Sequence, residues 1–150
     1  EWKDKANQAG STVFVHPDLV RGTLLEGFDR TAGLASPAAR AFMAMFVVAE
    51  VHPFLDGNGR TARLALNAML TQAGLTRILV PTVFREDYLV PLKALSHQAD
   101  PEAYIRMLLR LQTWSAKLRY DQPREDLHAQ LTRCHAFQED RNIYRLIAPD

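Results

Sequence analysis

The segment PAARAFMAMFVVAEVHP, residues 37 to 53, constrains the fold more than any other stretch. Ser36 followed by Pro37 reads as an N-cap with proline in the first helical position. From there apolar side chains run around every side of the helix, as in a helix buried in the middle of a domain. Pro53 ends it, because proline disfavours helical geometry in the residue before it. Other elements must wrap around such a helix, and the remaining sequence offers mainly further helices.

Helical spacing resumes at Leu64, Ala68 and Thr71 and stops at Gly74, a C-cap residue. Asp100-Pro101-Glu102 repeats the cap-then-proline signal and opens a helix through Ile105, Leu108, Leu109 and Gln112. Pro91 lies inside Glu86–Ser96, so that segment is either kinked or starts late. Leu127, Leu131 and Cys134 mark an amphipathic C-terminal helix over about 123–147. The N-terminal piece differs. Thr12-Val13-Phe14-Val15 favours β structure, residues 7–10 favour a turn, and Trp2-Lys3-Asp4-Lys5 supplies a partner strand, giving a hairpin over about 2–15. The expected fold is all-α with one small N-terminal β-hairpin, a single domain over 1–150 by length.

Eighteen Lys and Arg against 17 Asp and Glu leave no basic excess. That argues against a general nucleic-acid binder or an anionic-membrane binder. No apolar run approaches the ~20 residues of a membrane span. The lone Cys134 excludes an internal disulfide and a multi-cysteine zinc site, and fits a small buried hydrophobe in a reducing cytoplasm. The first residue is Glu1 and not Met, so the chain is expected to be a fragment or processed product of a longer protein. The lack of a targeting segment therefore carries little weight.

The polar run HPFLDGNGRTAR, residues 52–63, follows the apolar helix directly. His52 sits at the helix end, where packing fixes it, and imidazole titrates near neutrality, which suits a general base. Asp56 is a hard oxygen ligand matched to Mg²⁺, which takes one or two carboxylates plus substrate phosphates. Gly57-Asn58-Gly59 allows successive N–H groups to converge on an anion at the start of the next helix. Arg60 and Arg63 are three apart, on one helix face, and both forks can reach one polyphosphate. Phe54 reads as the apolar pin of the loop. No Ser, Cys or Lys in the loop is placed as a protein nucleophile, so direct attack by an acceptor hydroxyl is the simplest scheme. A glycine-containing polar connection alone is a weak signal, and His97, His128 and His135 read as structural.

The run resembles the signature of the Fic (filamentation induced by cAMP) family, HPFx[DE]GNGRxxR, at every specified position. Nine positions are fixed, and chance occurrence in a chain of this length is on the order of 10⁻¹⁰. The resemblance implies a Fic-type helical bundle that transfers AMP from ATP to a Ser, Thr or Tyr hydroxyl of a target protein with Mg²⁺. It implies His52 as the base, Asp56 as the metal carboxylate, and Gly57, Asn58 and Gly59 as the phosphate cradle. Arg60 would grip the departing pyrophosphate and Arg63 the γ-phosphate. The choice of the α-phosphorus comes from the family alone. The hairpin resembles the family's flap, which implies that Thr12, Val13, Phe14 and Val15 dock a target segment by strand pairing. The expected enzyme is a nucleotidyltransferase acting in the cytoplasm, a setting compatible also with a secreted effector.

Departures from the family pattern also carry information. Many members are held inactive by a helix with [ST]xxxE[GN], whose glutamate pairs with the second arginine. Thr23-Leu24-Leu25-Glu26-Gly27 comes nearest, with Glu26 one residue early. Inhibition is then expected from a segment before Glu1 or from a separate antitoxin, or control is of another kind, and the chain as given is expected not to inhibit itself. Relatives that phosphorylate carry lysine at the second glycine of the loop, and Gly59 speaks against that branch. Alternatives that share the loop are transfer of UMP or phosphocholine, and a catalytically silent Fic-like binding module.

Overall fold

The computed structural model describes residues 1–10, 12–140 and 142–150, arranged as two compact units, Glu1–Leu75 and Thr76–Asp150. Of the expected flap strand Ser11, and of the expected C-terminal helix Arg141, lie outside the described residues.

The first unit holds a two-stranded antiparallel hairpin and three helices. Strand β1 is Gln8–Ala9 and β2 is Thr12–Val13, with Gln8 opposite Val13 and Ala9 opposite Thr12. The hairpin is shorter than the expected 2–15, and its first strand is Gln8–Ala9, not Trp2–Lys5. The reason is that Lys3 is committed elsewhere: its N–H donates to Pro53 O at 2.8 Å.

A 3-10 turn at Pro17–Leu19 leads into α1, Val20–Ala32. Helix α2 spans Pro37–Val51, and Ser36 Oγ accepts from Ala39 N–H at 3.3 Å, the cap the sequence predicts. It is buried at Ala41, Phe42, Ala44, Met45, Val47, Val48 and Val51. Helix α1 packs on α2 through a cluster of Val20, Leu24, Val47 and Val51, flanked by Val15 and Met43. The approach is close at Gly27, where an added Cβ would lie 2.6 Å from Val47 Cγ1.

Helix α3, Asn58–Gln72, is the main partner of α2. It ends as the sequence predicts: Gly74 has φ 68, its N–H donates to Thr71 O, and Leu75 N–H reaches back to Leu70 O at 2.8 Å.

The second unit contains a 3-10 turn at Thr82–Phe84 and helices α4 (Arg85–Gln98), α5 (Glu102–Ala116) and α6 (Arg124–Arg133). Helix α4 packs against α5. It starts at Arg85 and carries Pro91 in its interior, so it does not begin late. Helix α5 begins one residue later than the cap-then-proline signal predicts, with Pro101 as its N-cap, while Asp100 Oδ1 accepts from Glu102 N–H at 3.0 Å.

The C-terminal helix corrects the expectation of about 123–147, because α6 stops at Arg133. His135 takes a left-handed conformation (φ 60), its N–H donates to Thr132 O, and Ala136 N–H reaches back to Leu131 O at 3.0 Å. The chain then doubles back, with Ile147 N–H on Cys134 O and Trp114 Nε1 on Ile147 O at 2.8 Å. This return builds a cluster of Trp114, Leu118, Cys134 and Ala136, with Leu127, Leu131 and Leu146 against it. An uninterrupted helix would pull Ala136 and Leu146 off that cluster. Among the described residues the fold is all-α, six helices with one small hairpin. No helix among them is long and apolar enough to cross a membrane.

Candidate active site

The site begins at the C-terminus of α2. His52 N–H donates to Val48 O at 3.1 Å, and the residue sits at φ 51, ψ 58, the left-handed position that usually favours glycine. For a residue with a side chain this conformation costs about 1–3 kcal/mol and persists only where the surroundings hold it. The half-buried ring is held twice. Nδ1 lies 3.0 Å from Ala49 O, and Phe14 stacks on the ring face with centroids 3.6 Å apart. A carbonyl oxygen can only accept, so Nδ1 carries the hydrogen and Nε2 of the neutral ring keeps its lone pair. Burial pushes the His52 pKa below its ordinary value, and the Lys3 ammonium pushes the same way. The Ala49 carbonyl and the Glu50 carboxylate oppose them without reversing the result. The ring is thus neutral near pH 7 with Nε2 ready to accept a proton.

Four residues carry the chain from His52 to Gly57. Buried Asn58 closes this turn, because its Oδ1 accepts from Phe54 N–H at 2.8 Å and its Nδ2 donates to Phe54 O at 2.7 Å. The Asn58 side chain thus holds the loop itself through its Oδ1 and one of its Nδ2 hydrogens. The clamp ties Phe54, two residues after His52, to the first residue of α3. Phe54 also stacks on Trp2, with centroids 6.0 Å apart, so the pin engages the N-terminal segment.

Gly57 caps α3 at φ 81, a conformation that glycine adopts without strain. The first intrahelical bond of α3 runs from Thr61 N–H to Gly57 O at 2.9 Å. The N–H groups of Asn58, Gly59 and Arg60 precede it and have no acceptor within the helix, at the end where the helix dipole is positive. Arg60 and Arg63 fold back over this turn: a Cβ on Gly57 would lie 3.4 Å from Arg60 Nη2, and one on Gly59 3.5 Å from Arg63 Nη1. Two guanidinium groups thus lie beside three successive donors. Such an arrangement attracts a polyphosphate.

Asp56 is exposed, and its Oδ2 meets Arg60 Nη2 at 3.3 Å. No cluster of three or more His, Cys, Asp or Glu side chains able to hold a metal occurs among the described residues. A cation here would take one carboxylate from the protein and its other oxygens from phosphate and water. That donor set fits Mg²⁺ and does not fit zinc.

The hairpin lies beside His52. Of the described residues in the Thr12–Val15 segment, Thr12 and Val13 form strand, and Val13 is 73% exposed. Beyond this strand, Phe14 stacks on the imidazole and Val15 packs on the hydrophobic cluster of Val20, Leu24, Val47 and Val51. Glu26 is on the exposed face of α1 and pairs with Arg30 at 2.8 Å.

Sequence reasoning missed Lys3 and Asn7. Lys3 is 3% exposed, and its Nζ donates to Asn7 Oδ1 at 2.8 Å and to Val51 O at 3.2 Å. Asn7 Nδ2 donates to Phe54 O at 3.0 Å. Neither residue belongs to a pattern, and no periodicity marks a lysine that is buried by a helix end 48 residues away.

Residues 1–70 match the profile of the Fic/DOC family. The protein adenylyltransferase Fic of Drosophila grimshawi is 36% identical over 72 residues, which is 48% of this chain and 15% of that protein. That of Drosophila erecta is likewise 36% identical over 72 residues, 48% of this chain and 14% of the relative. The chain thus spans about one seventh of the length of these curated relatives. Among solved structures, a Fic-domain-containing signaling protein from Bacteroides thetaiotaomicron superposes with a TM-score of 0.62 at 22% identity. The match covers 78% of this chain and 54% of that one, and is a likeness of fold. Fic-1 of C. elegans gives a TM-score of 0.57 at 29% identity, over 75% of this chain and 34% of the other.

Proposed function

We propose that this chain carries a Fic domain, as the match of residues 1–70 to the Fic/DOC profile supports, and that it is a protein adenylyltransferase, moving AMP from ATP to a Ser, Thr or Tyr hydroxyl of a target protein. The observation that carries the reading is the state of His52: neutral, its Nδ1–H spent on Ala49 O, and its Nε2 free, at the head of the loop that leads to the anion-attracting start of α3.

In the reaction, His52 Nε2 takes the proton of the target hydroxyl. The hydroxyl oxygen forms a bond to the α-phosphorus of ATP, the bond from that phosphorus to the β-bridging oxygen breaks, and pyrophosphate departs. The N–H groups of Asn58, Gly59 and Arg60 donate to phosphate oxygens. The Arg60 guanidinium offsets the charge that develops on pyrophosphate, and Arg63 holds the γ-phosphate. Asp56 would hold Mg²⁺, which when bound neutralises phosphate charge. A positioned base typically contributes about 10²–10⁴ in rate, and charge stabilisation at the phosphates supplies much of the remainder. The strand Thr12–Val13, with Val13 outward, is the segment on which an extended target peptide would pair. A single buried cysteine and the use of ATP fit a cytoplasmic site of action.

The test is transfer from labelled ATP with Mg²⁺ to the protein itself or to lysate proteins, read by mass spectrometry, since an added AMP, UMP or phosphoryl mass identifies the group. His52→Ala should abolish transfer and leave ATP binding in place; label that persists in this variant overturns the reading. Asp56→Ala should weaken the response to Mg²⁺, and an unchanged response removes it as the metal carboxylate.

A further inference from the structure

A buried ammonium is expensive to desolvate, and the expense is offset only where its donors find acceptors. Lys3 finds them on both sides of His52. Its Nζ donates to Val51 O at 3.2 Å, the carbonyl just before His52, and its backbone N–H donates to Pro53 O at 2.8 Å, the carbonyl just after. Val51 O is among the last carbonyls of α2, where the negative end of the helix dipole favours a cation. Asn7 extends the hold, accepting from Lys3 Nζ at 2.8 Å while donating to Phe54 O at 3.0 Å. What this hold works against is local, because His52 occupies a backbone conformation that a side-chain-bearing residue resists.

The structure assigns Lys3 the part of a positioning residue for the transfer reaction: from the N-terminal segment it fixes the left-handed backbone of His52, in which the ring donates to Ala49 O and keeps Nε2 free. This rests on the reading of His52 as the general base. Lys3 touches no reacting atom in that scheme and acts only through His52. The charged groups that bear on the ring are Lys3, which opposes its protonation, and Glu50, which favours it; burial is the larger influence.

Lys3→Met removes the ammonium and keeps the length of the side chain, with Lys5→Met, at an exposed position, as the control. Three quantities are read on the whole chain: the ¹⁵N and ¹³C signals of the His52 ring, the pH profile of kcat, and KM for ATP. The folded Lys3→Met protein should lose the defined Nδ1–H signature of the ring. Its kcat should fall by about tenfold or more, the scale expected when a reacting group is misplaced by a fraction of an ångström to an ångström. KM for ATP should stay unchanged, and the acid limb of the kcat profile should move to higher pH, since no ammonium then opposes protonation of His52. A purely structural lysine would lower the Tm and leave the ring signals and the acid limb of the folded protein where they were, and that result overturns the assignment. So does a loss that resides wholly in KM for ATP. If Lys3→Met does not fold, Asn7→Ala, which leaves the ammonium one acceptor fewer, should shift the ring signals in the same direction by a smaller amount; wild-type signals in it overturn the assignment. The ring spectra need no turnover. A perturbed ring in Lys3→Met together with a wild type that transfers nothing would uphold the positioning and remove the general-base reading instead.

Discussion

Phe14 lies flat on His52, with ring planes 9° from parallel and centroids 3.6 Å apart. The hairpin therefore ends against the side chain that the proposed reaction depends on. Phe14→Ala should free the imidazole to turn, lowering kcat by about tenfold or more while ATP affinity stays near wild type. Steady-state kinetics beside calorimetric ATP binding check this, and equal losses in both would place Phe14 in ATP binding instead.

The depressed pKa of His52 sets the direction of the pH dependence. The base works when neutral, so transfer should be flat through neutrality and fall only as the pH drops below the ordinary imidazole value of about 6.5. The same shift has a consequence for folding. A histidine whose folded pKa lies below its unfolded value contributes stability that is present above the unfolded value and lost as the pH falls through the folded one. Denaturant midpoints should therefore decline on acidification through that window, and His52→Gln should flatten the decline.

Gly27 sets the spacing between α1 and α2. A methyl there would meet Val47 Cγ1 at 2.6 Å, and Val47 is buried. Gly27→Ala should destabilise the chain by about 1–3 kcal/mol despite the better helix propensity of alanine. Pairing it with Val47→Ala should recover part of the loss, and strict additivity in a double-mutant cycle would sink the steric account.

Glu26 is paired with Arg30 on its own helix. Glu26→Ala should leave transfer at the wild-type level and change stability by no more than about 0.5 kcal/mol, as for other exposed pairs. A large rise in activity would reveal an inhibitory role that this pairing does not display.

Much of this arrangement was legible because it is written locally. Ser36-Pro37 and Asp100-Pro101 announce their helices within a few residues, and Gly57 and Gly74 stand where the backbone turns left-handed. The loop of residues 52–63 was readable for the same reason, since its chemical groups are contiguous. What escaped is non-local or lacks its usual marker. Lys3 meets Val51 across 48 residues, a pairing that no short-range pattern encodes. Helix α1 holds Gly22 and Gly27, which read as poor helix formers, and its packing on α2 overrides that. The end of α6 was missed because His135, not glycine, takes the left-handed turn. Asn58 was recognised as part of the cradle, while its side-chain clamp on Phe54 depends on loop geometry that spacing does not reveal.

At residue 52 the fold and the chemistry want different amino acids. The end of α2 would be most comfortable with no side chain at all, so His52→Gly should ease the backbone, give up the stack on Phe14 and the bond to Ala49 O, and silence transfer. The strain at residue 52 is thus borne by its neighbours, with Phe14 against the ring and Lys3 on the carbonyl before it.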